Sequence, residues 1–500
     1  MSYKDLLGGK GANLAEMTSV LKLPVPPGFT VSTDACRDYM HGGWPDKLDG
    51  EIANHVFKLE KEMGRKLGDP FDPLLVSVRS GAKFSMPGMM DTVLNLGLND
   101  VSVEGLAGAT SNPRFAYDSY RRFNAMYGRI VMGVDGDVFE HPLEAAKQKL
   151  GITNDAEIPV EALQALCKQY LAAVKKATGE PFPQAPRDQL RGAIEAVFKS
   201  WNGARAIAYR VREKISHELG TAVNVQTMVF GNRDDNSGTG VGFTRNAATG
   251  ENKSYGDFLD NAQGEDVVAG IRKTEDLDRM AHHFPEIHDD LLEIFVRLEA
   301  HYTDMCDTEF TIEQGKLWML QTRIGKRTGR AALKMAVDMT KGTTDGRGGK
   351  WKISREEAVT RVSEEHLDSV LHPQFSSKGT VLAKGLGASP GAAVGQVYFT
   401  ADHAEAAWKR GHDVILVRME TSPDDAHGRM ASKGILTARG GLVSHAAVVA
   451  RGWGTPAVVG AEAIKIDGSQ FSVGDIIVKE GDWISLDGTS GDVVLGKLEM

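Results

Sequence analysis

The hydrophobic period of this chain changes repeatedly along its length, which argues for several domains rather than one core. Residues 114–220 read as mostly helical, with proline and glycine interruptions around 179–186. From about residue 221 the stretches TAVNVQTMVFG, GTGVGFTRNAATG and DFLDNAQGEDVVAG read as β-structure. Residues 286–305 return to helix, because Ile287, Leu291, Phe295, Leu298 and Tyr302 recur at spacings of three and four. Helical runs at 328–340 and 354–371 flank the break KGTTDGRGGK at 341–350 and read as a linker. From Gly379 onward, short glycine- and valine-rich β and α segments suggest a separate compact domain. The pattern predicts a multidomain α+β chain divided at 1–326, 327–378 and 379–500. Its 500 residues also exceed what one ordinary core organises.

Composition narrows the function classes. The net charge of -9 argues against nucleic acid as the main partner. Cys36, Cys167 and Cys306 are widely spaced, with no CxxC, so a disulfide framework and a thiolate zinc site are both excluded. This cysteine usage fits a reducing cytoplasm. No apolar leader opens the sequence, and no apolar run is long enough to span a membrane. The 56 glycines are clustered rather than periodic, which tight loops explain, some of them suited to phosphate.

Two glycine-bearing segments near the N-terminus carry cations. LLGGKGANLAEM predicts a loop at Gly8, Gly9 and Gly11 holding Lys10, then a helix over about 12–21. Lys10 lacks the Walker spacing, so a P-loop is not supported. Leu74–Val78 reads as a β-run that delivers Arg79 at its end, where a turn arginine and a phosphate-binding arginine are both compatible with the pattern. His282, His283 and His288 lack metal-ligand spacing and are expected at the surface or in packing.

DTEFTIEQGKLWMLQTR predicts a β-hairpin. Alternation puts Asp307, Glu309, Thr311 and Glu313 on one face and Phe310 and Ile312 on the other. A three-residue loop over 313–315 would set Ile312 opposite Lys316 and Asp307 opposite Gln321, with Arg323 extending the row. Such a row can hold Mg²⁺ and polyphosphate, since hard oxygens bind the metal and the arginine fork neutralises phosphate. A solvated face with surface ion pairs has the same periodicity.

TARGGLVSHAAVVARG places His445 among small aliphatic residues. Ser444 can cap a helix continued by Ala446–Ala450, which puts His445 in the first turn. Free backbone N–H groups there favour an anion, as a phosphorylated imidazole would be. The arrangement suits either a histidine phosphoryl carrier or a histidine bonded structurally at a helix start.

The segments SVRSGAKFSMPGMMDTVLNLGLND, NPRFAYDSYRRF, NVQTMVFGN, NAQGEDVVAG, TEFTIEQGKLWMLQTR, LHPQF, RMETSPDD and TARGGLVSHAAVVARG together resemble the pyruvate, phosphate dikinase family over essentially the whole chain. The resemblance implies an ATP-grasp nucleotide-binding domain followed by a swivelling α/β phosphohistidine domain. It implies that ATP and inorganic phosphate phosphorylate the histidine, with release of AMP and pyrophosphate. The family's catalytic histidine falls on His445, and its ATP-phosphate groups fall on Lys10, Arg79 and Arg323. Its acidic and amide positions for Mg²⁺ and phosphates fall on Asp307, Glu309 and Gln321, with VQTMVFG lining the adenine. Pyruvate and phosphoenolpyruvate are implied only through a C-terminal (β/α)₈ barrel outside these 500 residues. A homodimer is implied for the full-length enzyme, with no nucleic-acid or membrane partner.

The chain departs from the family pattern in places. Val443 stands where the family has a regulatory threonine, so control by phosphorylation there is expected to be lost. Ile324 replaces an asparagine commonly found beside Arg323, and the insert TTDGRGGKWK is unusual. Two other functions compete: a regulatory ATP-binding homologue without turnover, and an ATP-dependent phosphotransferase acting on another acceptor. Retention of the whole set from Lys10 to His445 argues against decay.

Overall fold

The computed structural model describes residues 3–86, 88–269, 274–344, 350–370, 375 and 379–500. The chain forms two compact units, one ending at Val229 and one running from Phe230 to Met500. No helix among the described residues is long and apolar enough to cross a membrane.

The first unit is built on a four-stranded antiparallel sheet. In chain order its strands are β1 (Gly28–Val31), β2 (Val76–Ala82), β3 (Thr92–Leu96) and β4 (Thr221–Thr227). Their spatial order is β1–β4–β2–β3. A helical layer between β3 and β4 packs around Phe115, Tyr120, Phe123, Phe139 and Tyr170, all buried. Helix α1 (Lys4–Ser19) begins earlier than expected and is kinked at Gly8 (φ 68°, ψ 174°). Gly8 alone takes the left-handed φ, where a Cβ would collide with the Gly81 carbonyl; Gly9 and Gly11 stay helical. The expected loop is therefore one residue wide. Arg79 also differs from expectation. It lies mid-strand, because pairing with β4 continues to Ala82 opposite Thr221.

The second unit opens with a five-stranded antiparallel sheet. Its strands are β5 (Gly238–Phe243), β6 (Tyr255–Asp260), β7 (Glu275–Asp276), β8 (Cys306–Glu313) and β9 (Lys316–Ile324). They are ordered β9–β8–β5–β6–β7. Helix α2 (Pro285–Tyr302) covers one face and buries Leu291, Phe295 and Leu298 at the expected spacing. Helix α3 (Gly329–Lys341) follows. The second helical run is split into Arg355–Thr360 and Glu364–Val370. Of the KGTTDGRGGK break, Thr343–Thr344 pairs with Lys350–Trp351, and residues 345–349 lie outside the described residues, as do the first four residues of LHPQF.

An eight-stranded mixed sheet follows, with a small three-stranded antiparallel sheet over Lys465–Asp467, Gln470–Val473 and Ile476–Lys479. Its centre is parallel: β10 (Ala392–Tyr398), β11 (Val414–Arg418), β12 (Gly434–Thr437) and β13 (Ala457–Val459). The crossovers contain helices α4 (Ala401–Lys409), α5 (Ala426–Met430) and α6 (His445–Trp453), as parallel strands require. Val397, Ile415, Leu436 and Val458 are fully buried in its core.

Inside this domain, Arg429 of α5 is 0% exposed. Its Nη1 donates to Thr421 Oγ1 at 3.2 Å, whereas Nε and Nη2 find no acceptor among the described residues. Burial pulls its guanidinium down to about 10, with Asp425 opposing. Asp425 keeps other partners, Ser422 N at 2.8 Å and Arg418 Nε at 3.3 Å. Removing a poorly compensated buried charge is commonly stabilising. Arg429→Met is expected to raise unfolding stability by about 1–3 kcal/mol, read as a higher denaturant midpoint at unchanged slope; a lower midpoint would contradict this.

Candidate active site

The turn between β8 and β9 places two residues at positive φ, Gln314 (51°) and Gly315 (73°). Two such positions make a two-residue hairpin turn, so Glu313 rather than Ile312 lies opposite Lys316. That register alone would put Gln321 opposite Thr308, on the wrong face. A bulge at Leu320 shifts the ladder by one residue. Asp307 consequently faces Arg323, and Glu309 faces Gln321. The four side chains that alternation selected do share a face, in a register different from the expected one.

Hydrogen bonds tie the row together. Arg323 donates to Asp307 Oδ2 through Nε at 2.7 Å, with Nη2 at 2.6 Å. Gln321 Nε2 donates to Glu309 Oε1 at 3.0 Å. Asp307 and Gln321 are buried, so the row is no solvated surface face. Burial pushes the Asp307 carboxyl above its usual range, and Arg323 only partly pulls it back. Two cross-strand rungs extend across the sheet: Tyr255, Phe243, Asp307, Arg323, and Asp257, Val241, Glu309, Gln321.

His445 is the first residue of α6 and is 9% exposed. The Ser444 hydroxyl caps the helix by accepting from Ala447 N at 3.5 Å, which keeps His445 in the first turn. Gly440 takes φ 103° at the bend between β12 and this cap. The small neighbours Ala446, Ala447 and Ala450 pack against Ile435, Ala457 and Val459, letting the helix lie close on the sheet.

The loop before His445 rests on the face that carries the acid row. Val443 N donates to Asp257 Oδ2 at 3.3 Å. The Val443 side chain is buried with Val241, Phe243 and Tyr255. At Gly441 a Cβ would come within 2.5 Å of Asp257 Oδ2 and 3.1 Å of Thr274 Oγ1, so only glycine permits this approach. Burial raises the Asp257 carboxyl, and the Val443 N–H bond opposes the shift. Sequence reasoning missed Asp257. The available signal was its position in an alternating strand beside NAQGEDVVAG.

In the first unit, Arg79 pairs with Asn224. A Cβ at Gly11 would meet Asn224 Oδ1 at 2.9 Å, and one at Gly81 would lie 3.5 Å from Lys10 Cβ. Since Arg79 and Gly81 are two apart on β2, Lys10 and Arg79 are brought to one sheet face. Elsewhere, Asp260, Glu275 and His283 bring ligand-type atoms within 4.8 Å of one another, and His283 Nδ1 lies 2.9 Å from Asp260 Oδ2. An edge ion pair accounts for that contact. Burial raises Cys36 to about 11 and Cys167 to about 12, so neither thiol is a nucleophile at neutral pH.

Comparison with known proteins gives two family matches in chain order. The family profile described as pyruvate phosphate dikinase, AMP/ATP-binding domain, matches residues 4–48, 43–286 and 284–343. A second profile, PEP-utilising enzyme, mobile domain, matches residues 411–491. The chain is 54% identical over 502 residues to pyruvate, phosphate dikinase 1, chloroplastic, of Arabidopsis thaliana, covering 99% of this chain and 51% of that protein. It is 52% identical over 509 residues to pyruvate, phosphate dikinase of Clostridium symbiosum, covering 100% of this chain and 57% of that protein. The chain thus spans about half the length of these relatives. With a nucleotide-binding region and a mobile domain matched in the same order, the chain belongs to the pyruvate phosphate dikinase family.

Proposed function

We propose that this chain carries out the ATP- and phosphate-dependent phosphorylation of His445. The observation that supports it most is the seating of the loop before His445 on the Asp307–Glu309 sheet face, through Val443 N and Asp257 Oδ2. In this reading an imidazole nitrogen of His445 attacks the β-phosphorus of ATP. The N–P bond forms, the bond from that phosphorus to the AMP oxygen breaks, and AMP leaves. An oxygen of inorganic phosphate then attacks the γ-phosphorus. Pyrophosphate departs and one phosphoryl group stays on His445.

Each residue of the set has a role set by its charge. Lys10 and Arg79 offer cations to nucleotide phosphates, and Arg323 offers a planar fork held in place by Asp307. The oxygens of Asp307, Glu309 and Gln321 suit a hard divalent cation, and we assign Mg²⁺ to them. When bound, Mg²⁺ would supply charge neutralisation to the phosphates. The helix start at His445 receives the new negative charge through backbone N–H groups. Functionally, residues 1–326 form the nucleotide-binding domain, 327–378 the linker and 379–500 the phosphohistidine domain. Onward transfer to pyruvate, giving phosphoenolpyruvate, would use the part of the relatives that this chain does not align with.

The test is product identity. With Mg²⁺, ATP and ³²P-labelled inorganic phosphate, AMP and labelled pyrophosphate are expected in equal amounts. ADP as the nucleotide product would favour another acceptor. Binding of ATP with no product would favour a regulatory protein.

A further inference from the structure

Arg451 is 2% exposed, yet it makes no ion pair within 4.0 Å among the described residues. Its hydrogen bonds go to two carbonyl oxygens. Nη2 donates to Leu442 O at 2.6 Å and Nη1 to Ala388 O at 3.1 Å. Its guanidinium carbon lies 5.8 Å from the centre of the Phe243 ring. Phe243 pairs directly with Asp307. One side chain therefore joins three things: the loop three residues before His445, the Leu386–Ser389 strand, and the rung carrying Asp307 and Arg323.

Burying a charge against neutral carbonyls carries a large desolvation penalty, which packing alone would not require. An apolar side chain of similar length would fill the space. Two features use the charge and the fork. The planar fork grips Leu442 O and Ala388 O together, which a point cation does less well. The guanidinium also lies over the Phe243 ring, where its positive charge is attracted by the negative ring face.

We infer that Arg451 is a positioning residue that fixes the His445 loop relative to the Asp307–Glu309 row, and so sets the approach of His445 to the transferring group. The inference rests on the function proposed above. Phosphoryl transfer needs reacting atoms in line and about 3–3.5 Å apart, and a displacement of about 1 Å costs about 100-fold in rate. Arg451 holds the Leu442 carbonyl, two residues before the Ser444 cap, so its loss lets cap and histidine shift together.

The experiment compares wild type, Arg451→Met and Arg451→Lys in the 500-residue chain, following single-turnover labelling of His445 from β-labelled ATP together with ATP half-saturation. Arg451→Met should label about 100-fold more slowly, with half-saturation within about threefold, and Arg451→Lys should recover part of the rate through its retained charge. Phe243→Leu, which removes the ring and leaves both carbonyl bonds, should slow labelling severalfold in wild type and add little in the Arg451→Met background. Labelling of Arg451→Met at the wild-type rate, or equal loss of rate and ATP affinity, overturns the inference. If Arg451→Met does not fold, the Arg451→Lys and Phe243→Leu rates decide, and unchanged rates in both overturn it. Failure of wild type itself to label His445 would instead overturn the proposed function.

Discussion

Replacing His445 with Asn abolishes covalent labelling of the protein from β-labelled ATP. The wild-type label should be acid-labile and base-stable, as expected for phosphorus on nitrogen. Asn retains a polar side chain in the first turn, and the Ser444 cap and the alanine face of α6 are untouched, so folding should survive. The amide lacks a basic nitrogen lone pair, so no N–P bond can form. With inorganic phosphate present, mass analysis of the intact chain gives a second readout: one added phosphoryl group in wild type and none in the variant. Label that persists in His445→Asn would show that another residue is the carrier and would remove the basis for the proposed reaction.

Glu309→Ala separates transfer from binding. Its carboxylate accepts from Gln321 Nε2 at 3.0 Å and sits two residues from buried Asp307 on the same face. Removing it deletes a negative charge from the row proposed to hold metal and phosphate, and leaves Gln321 without that acceptor. Groups that organise metal and phosphate act mainly on charge developing in the transition state, so labelling of His445 should fall by about 100- to 1,000-fold. ATP affinity, measured by equilibrium dialysis, should change only a few-fold, because Lys10, Arg79 and Arg323 are retained. Equal losses in rate and affinity would mean that Glu309 mainly supports the hairpin. Glu309→Gln keeps the size and a carbonyl oxygen, and an intermediate rate is expected from it.

The contrast between Glu309 and Asp257 shows which information a sequence carries. Alternation along a strand is a backbone property, so it put Asp307 and Glu309 on one face before any partner was known. The helix start at His445 is equally local: a serine hydroxyl reaches a backbone N–H three residues on. Glycine spacing misled at α1: it pointed to a loop over Gly8, Gly9 and Gly11, whereas the helix runs through them and packing against Gly81 leaves only Gly8 as a kink. The hairpin register was not legible. A left-handed Gln314 is uncommon for a residue with a Cβ, and the bulge at Leu320 compensates for it through pairing along the whole ladder.

What the chain determined by itself was therefore periodic or short in range: the strand faces, the capped helix and the glycine-permitted bends. Tertiary structure alone decided that Val443 meets Asp257 across a separation of 186 residues, and that Arg451 lies over Phe243. A periodic pattern says which face of an element is apolar, but not which other apolar face will cover it. That choice depends on shape, burial and loop closure over long stretches of chain, and it is made only when the two larger sheets of the second unit pack around the His445 loop.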